Sequence, residues 1–211
     1  MILIPEIETV LILPPRTASG SLYRTVLAAY PKAMMPYRHM EADGVPAGYD
    51  FWPKVGMVRE PVARMWSLYK FMQRMEISDT ANQNFRTTAD ADWTAAQRAN
   101  VEKPFEHWLL NNQLPFSCPY VPGHEGRFLP QFNVKHAIPE NRKSQFLYLR
   151  PDLGTQVFTD LHCLAAHLGI RVEMHVNKTP ESLPPALSQK ALDYVEQVFS
   201  WDIEACGKNY P

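Results

Sequence analysis

Two short segments concentrate the side chains suited to holding an anion. Pro15-Arg16-Thr17-Ala18-Ser19-Gly20-Ser21 offers one guanidinium and three hydroxyls just ahead of the helical run SLYRTVLAAY. Arg59-Glu60-Pro61 precedes the run VARMWSLYKFMQRM, with Ser67 two turns further on. Each segment follows a short apolar stretch, Thr9–Leu13 (TVLIL) and Val55–Val58 (VGMV), so each reads as a strand-to-helix turn. In parallel α/β sheets ligands collect at the carboxyl ends of strands. Helix N-termini there present free N–H groups and a partial positive charge, which favour phosphate or sulfate. An Arg and hydroxyls at the same place add charge-assisted hydrogen bonds. Two such turns in one sheet are expected to grip two anionic groups of one ligand. On spacing alone a plainer reading stays open: Ser19 and Ser21 only cap a helix, and Arg16 is a surface charge.

The elements that must position these turns follow from hydrophobic pattern. TVLIL suits a strand buried on both faces of a parallel sheet. MILIPEIETVLILPP as a whole reads as strand rather than signal peptide or spanning helix, since it carries Glu6 and Glu8 and is cut by Pro5, Pro14 and Pro15. Ser19 or Ser21 is the expected cap of the first helix. Pro61 opens the second, where its missing N–H is no loss, with Val62, Met65, Trp66 and Tyr69 on one face. Residues 75–112 read as a largely helical insertion, interrupted near Pro104 and ending in FEHWLL; residues 113–144 read as long loops. Gln145–Leu149 (QFLYL) is a predicted third strand, Gln156–Leu168 a helix closed by Gly169, Glu173–Val176 a short strand, and Pro185–Phe199 a final helix. Alternating strands and helices predict a single α/β domain over 1–211 with a central parallel sheet and right-handed crossovers.

Composition narrows the partners. With 211 residues, 45% of them hydrophobic, the chain is long enough for a sizeable core. Its 5 Trp, 9 Tyr and 10 Phe argue against disorder. The 21 Lys+Arg against 22 Asp+Glu leave a net charge of −1, so no general field draws in nucleic acid, and an anionic ligand must be held locally. No nucleic-acid or membrane partner is expected, and the simplest location is cytoplasmic. Cys118, Cys163 and Cys206 give neither a disulfide framework nor a zinc site, and Cys163 is expected in the core. His107, His124 and His136 lack metal-ligand spacing, His162 and His167 are expected near a helix surface, and no metal is implied. The first turn lacks GxxxxGK[ST], which disfavours a magnesium nucleoside triphosphate.

PPRTASGSLYRTVL resembles the 5′-phosphosulfate loop of sulfotransferases, P-K-[TS]-[GA]-[ST]-[TS]-S-[LF] ahead of a helix, most closely that of Golgi-type carbohydrate sulfotransferases including the heparan sulfate 2-O type. VGMVREPVARMWSLYKFM is similar to that family's 3′-phosphate site, a strand followed by R-[DE]-P-x-x-R-x-x-S-x-Y, onto which Arg59, Glu60, Pro61, Arg64, Ser67 and Tyr69 fall. FLYLRPDL resembles the third-strand segment F-L-x-x-R-x-E-D-L. His175–Thr179 (HVNKT) resembles the late H-x-N-x-[ST] element, and the last helix with Tyr194, Phe199 and Asp202 the closing segment. The resemblance touches most of the chain outside about 75–112.

It implies a P-loop-like α/β fold and 3′-phosphoadenosine 5′-phosphosulfate as sulfuryl donor, with a small-molecule or glycan hydroxyl as acceptor and no metal. Arg16, Thr17, Ala18, Ser19, Gly20, Ser21 and Leu22 would cradle the 5′-phosphosulfate. Arg59 and Ser67 would hold the 3′-phosphate, with Asn177, Lys178 and Thr179 as further donor contacts. A cation fixed where charge develops on the leaving phosphate stabilises the transition state above the ground state. Here Arg16 replaces the family's usual Lys, keeping the charge but spreading it over a planar fork. In the resembled 2-O-type enzymes a His between the two motifs is the general base, which makes His39 the catalytic candidate beside Arg16; an unperturbed pKa of about 6.5 suits that task. Glu41 is the runner-up, and the loop position of Glu60 suggests a structural role. Trp93, Trp108, Phe116, Tyr120 and Phe128 are candidates for an acceptor pocket or for core. The competing readings are a P-loop-type small-molecule kinase and a non-catalytic nucleotide- or anion-binding protein of the same fold.

Overall fold

The computed structural model describes residues 1–36, 39–77, 102–111, 144–172 and 183–207. Four strands, β1 (Ile2–Ile4), β2 (Thr9–Ile12), β3 (Lys54–Met57) and β4 (Gln156–Phe158), form one sheet in the order β1-β2-β3-β4. β2, β3 and β4 run parallel, and β1 pairs antiparallel with β2. The fold is α/β as expected, but the sheet is mixed rather than wholly parallel. The connection between β1 and β2 explains this. It is one 3-10 turn, Pro5–Ile7, closed by Glu8 at φ 47°. So short a link permits only an antiparallel return, because a parallel crossover needs a dozen residues or more. The N-terminal run is therefore a hairpin, not one strand.

Helices α1 (Ser19–Ala29) and α2 (Pro61–Ile77) follow β2 and β3, as the sequence predicts. α3 (Phe105–Asn111) begins directly after Pro104. α4 (Phe146–Leu149) replaces the expected strand over QFLYL. A short apolar run does not distinguish strand from buried helix by period alone, and here tertiary packing decides. Tyr148 and Leu149 are fully buried. A Cβ at Gly56 of β3 would overlap Leu149 Cδ2 and lie 3.2 Å from the Ile12 carbonyl oxygen, so the bare glycine is what lets α4 lie on the sheet. Gly56→Ala should therefore lower stability by about 1–3 kcal/mol through overpacking. Urea unfolding checks this, and a wild-type midpoint in the variant would contradict the α4–β3 contact.

The predicted helix from Gln156 begins instead with β4. Asp160 then caps α5 (Leu161–His167) by accepting from Cys163 N–H at 2.8 Å, and Gly169 closes the turn at φ 64°. Cys163 is exposed, contrary to expectation, because Leu164 and Ala165 are the residues of α5 that face the sheet. His162 and His167 are exposed, as expected. The last helix, α6 (Gln189–Ala205), starts and ends later than the predicted Pro185–Phe199; Ser188 supplies the cap by accepting from Ala191 N–H. The predicted strand at Glu173–Val176 lies outside the described residues.

The core has two layers, and β2 feeds both. Val10 and Ile12 join Val58, Met65, Phe105, Trp108, Val195 and Phe199 on one side. Leu11 and Leu13 join Leu22, Val26, Val55 and Leu164 on the other. This two-sided burial is what the uninterrupted TVLIL run implies. Trp108 belongs to this core; Trp93, Phe116, Tyr120 and Phe128 lie outside the described residues. No helix among the described residues is long and apolar enough to cross a membrane.

Candidate anion-binding site

The first turn leaves β2 at Ile12 and enters α1 at Ser19. Arg16 (φ 66°) and Ala18 (φ 56°) both sit in the left-handed region, while Thr17 between them does not. Tight turns of this kind are the setting in which backbone N–H groups bind anions. Two non-glycine residues at positive φ carry a strain of about 1–3 kcal/mol each, which concentrates at functional sites. Thr17 is buried and donates its hydroxyl to the Pro14 carbonyl at 2.8 Å, which pins the turn. The Ala18 carbonyl accepts from Ser21 and Leu22 N–H, both at 3.0 Å.

Ala18 is the N-cap of α1, with no side-chain cap. This corrects the expectation that Ser19 or Ser21 caps the helix: both lie inside its first turn and are buried. α1 therefore keeps its N-terminal amide field at the loop.

The second turn is built differently. Glu60 accepts from Val62 N–H (2.8 Å) through one carboxylate oxygen and from Ala63 N–H (2.7 Å) through the other. The N-terminus of α2 thus already holds a carboxylate, so it does not serve as a second helix-terminus cradle. Glu60 has the structural role its position suggests. What the second turn brings to the site is the side chain of Arg59, whose Nη1 donates to the Arg16 carbonyl at 3.3 Å. Burial lowers the Arg59 pKa, and the neighbouring Glu60 charge opposes that shift. A partly desolvated cation of this kind favours an anionic partner.

The two turns are also joined by Arg16. Its Nε and Nη2 donate to Ser67 Oγ at 3.2 and 3.0 Å, and its Cζ lies 4.6 Å from the Phe71 ring centre. Ser67 is buried on α2. The guanidinium thus bridges from the α1 loop to the α2 face, and the hydroxyl expected to meet a phosphate accepts from Arg16.

His39 reaches the same end of the sheet. Its Nδ1 lies 2.7 Å from the carbonyl oxygen of Leu13, the residue after β2. A carbonyl only accepts, so Nδ1 carries the proton and Nε2 is the basic nitrogen of the neutral ring. Glu41, the alternative base, is buried. Arg16 to Leu22, His39, Arg59 and Ser67 therefore gather at the carboxyl ends of β2 and β3. Asn177, Lys178 and Thr179 lie outside the described residues. Among the described residues, no group of three His, Cys, Asp or Glu side chains is arranged to hold a metal.

Behind Arg59 lies a polar layer that the motifs do not reveal. Gln145 is fully buried and contacts Arg59 through both its carboxamide atoms. Asp202 of α6 accepts from Gln145 N–H at 2.8 and 3.1 Å and from Ser144 Oγ at 3.2 Å. Burial pushes the Asp202 pKa up to about 6, opposed by the Arg64 charge and by hydrogen bonds from Gln145, Ser144 and Phe146. Arg64 of α2 is itself fully buried, which lowers its pKa.

Comparison with protein-family models, with curated proteins and with solved structures gives no significant match to this chain.

Proposed function

We propose that the chain is a sulfotransferase that takes a sulfuryl group from 3′-phosphoadenosine 5′-phosphosulfate and passes it to an acceptor hydroxyl, on a P-loop-like α/β scaffold. The observation that carries this reading is the joining of the two arginine turns at one sheet end: Arg59 Nη1 on the Arg16 carbonyl, and the Arg16 guanidinium on Ser67. It gives one ligand two cationic contacts beside a helix N-terminus without a side-chain cap. A nucleotide with anionic groups at both 5′ and 3′ positions fits that pairing better than one phosphorylated at a single end.

The residues fit the donor's chemistry. The Arg16–Ala18 turn and the first turn of α1 would hold the 5′ anionic group, and Arg59 the 3′-phosphate. The donor supplies an activated sulfuryl group. Arg16 stabilises negative charge on the leaving oxygen, with N–H groups fixed in advance. His39, held through Nδ1 with Nε2 as base, takes the acceptor's proton. In a turnover assay with sulfur-labelled donor, label should pass to the acceptor.

Arg59→Ala should lower affinity for adenosine 3′,5′-bisphosphate by about 10–100-fold, or roughly 1.5–3 kcal/mol, the worth of hydrogen bonds to a charged group. Unchanged affinity in calorimetry, with the fold intact, would remove the 3′-phosphate assignment.

One observation favours a second reading, a non-catalytic nucleotide-binding protein of the same fold. The Arg16 guanidinium lies on Ser67 and over Phe71, so its charge is spent in part within the protein. Label that stays on the donor across a broad set of acceptors, while bisphosphate still binds, would support this alternative.

A further inference from the structure

Gln145 begins the turn into α4 and has no exposed surface. Its carboxamide lies along the backbone of Arg59, 86 residues earlier in the chain. Oε1 accepts from Arg59 N–H at 2.8 Å, and Nε2 donates to the Arg59 carbonyl at 2.6 Å. One side chain thus satisfies both backbone groups of one residue, the service a neighbouring strand provides inside a sheet. The location explains the need. The β3–β4 ladder reaches Val58, whose N–H donates to the Phe158 carbonyl at 2.9 Å. Beyond Val58 the chain turns away into α2, and Gln145 stands where the next strand residue would.

Gln145 is itself anchored. Its N–H donates to both carboxylate oxygens of Asp202, and Ser144 Oγ donates to one of them. Asp202 in turn feels the charge of Arg64 on α2, the helix that the Arg59 turn opens. Elements α2, α4 and α6 therefore converge on one backbone position. Both carboxamide atoms are committed to the Arg59 backbone, and apolar packing alone would not need such a group. The Arg59 side chain extends from this clamped backbone to the Arg16 carbonyl.

We propose that Gln145 is the positioning residue of the Arg59 turn: by fixing the Arg59 backbone it aims the guanidinium at the α1 loop and so selects ligands that carry a second anionic group. The identity of that group as a 3′-phosphate rests on the donor reading above.

The test compares adenosine 3′,5′-bisphosphate with adenosine 5′-monophosphate by calorimetry, in wild type, Gln145→Met and Gln145→Glu. Wild type should prefer the bisphosphate by about tenfold or more. Gln145→Met, of similar length but without the amide, should lose most of that preference and leave monophosphate affinity within about twofold. General loosening would weaken both ligands alike. Gln145→Glu sets a carboxylate, which cannot donate, against the Arg59 carbonyl, so at about pH 8 it should lose the preference as Gln145→Met does.

A folded Gln145→Met with the wild-type preference would overturn the proposal. A wild type without preference would overturn the donor reading instead, and hydrogen exchange at the Arg59 amide then judges the clamp. Exchange there should be about tenfold faster in Gln145→Met, with Ser21 and Leu22 unchanged; equal rates at Arg59 would overturn the clamp.

Discussion

His39→Ala should lower kcat by about 10²–10⁴-fold on a verified acceptor, the usual worth of a positioned general base. Affinity for adenosine 3′,5′-bisphosphate should hardly change, because no donor contact is assigned to His39. The geometry behind this is the hydrogen bond from Nδ1–H to the Leu13 carbonyl, which fixes the tautomer and orients the ring at the entrance to the α1 loop. Only the neutral ring accepts a proton at Nε2, so the wild-type rate should rise with pH through one ionisation. That rising limb should vanish in the variant. Near-full turnover in His39→Ala would pass the role to Glu41, the buried carboxylate two residues on.

Arg16→Ala should lower kcat by about 10²–10³-fold, the range found when one preorganised donor to developing charge is removed. Bisphosphate affinity should fall less, because the α1 terminus, which has no side-chain cap, still presents its N–H groups. The same substitution empties the contact with Ser67 and Phe71, so its effect on stability should be checked by thermal melting alongside kinetics. Arg16→Lys keeps the charge but cannot bridge as a planar fork. It should retain or raise turnover. A silent parent with an active Arg16→Lys would mean that the natural protein only binds.

The parts of this arrangement set by local pattern are legible in the sequence. TVLIL, the Pro61 helix start and the Gly169 stop depend on neighbours within a few residues, and each lies where the pattern puts it. The parts that failed depend on partners far along the chain. QFLYL is helical because Gly56 leaves room for Leu149, a pairing that no local window contains. The first turn's Arg and hydroxyls were visible, but not that Ala18 would take the N-cap position at positive φ. Glu60 shows the reverse: its loop position suggests a structural role, and the structure gives it one, accepting from Val62 and Ala63 N–H. Gln145 gave no signal, since its function is defined only by Arg59 and Asp202 at long separation. Asp202 could be placed on the closing helix, but its role as the anchor of Gln145 could not.

Thermal shift with adenosine 3′,5′-bisphosphate, set against ADP with Mg²⁺, tests the central claim most directly. A ligand present at 100 times its Kd stabilises by about 2.7 kcal/mol. For a domain of this size that is a rise in Tm of roughly 5–11 °C. The two joined arginine turns predict such a rise with the bisphosphate and little with ADP and Mg²⁺, since the first turn lacks the Gly-Lys pair of a triphosphate loop. No shift with the bisphosphate at millimolar concentration, or a larger one with ADP and Mg²⁺, would contradict the account.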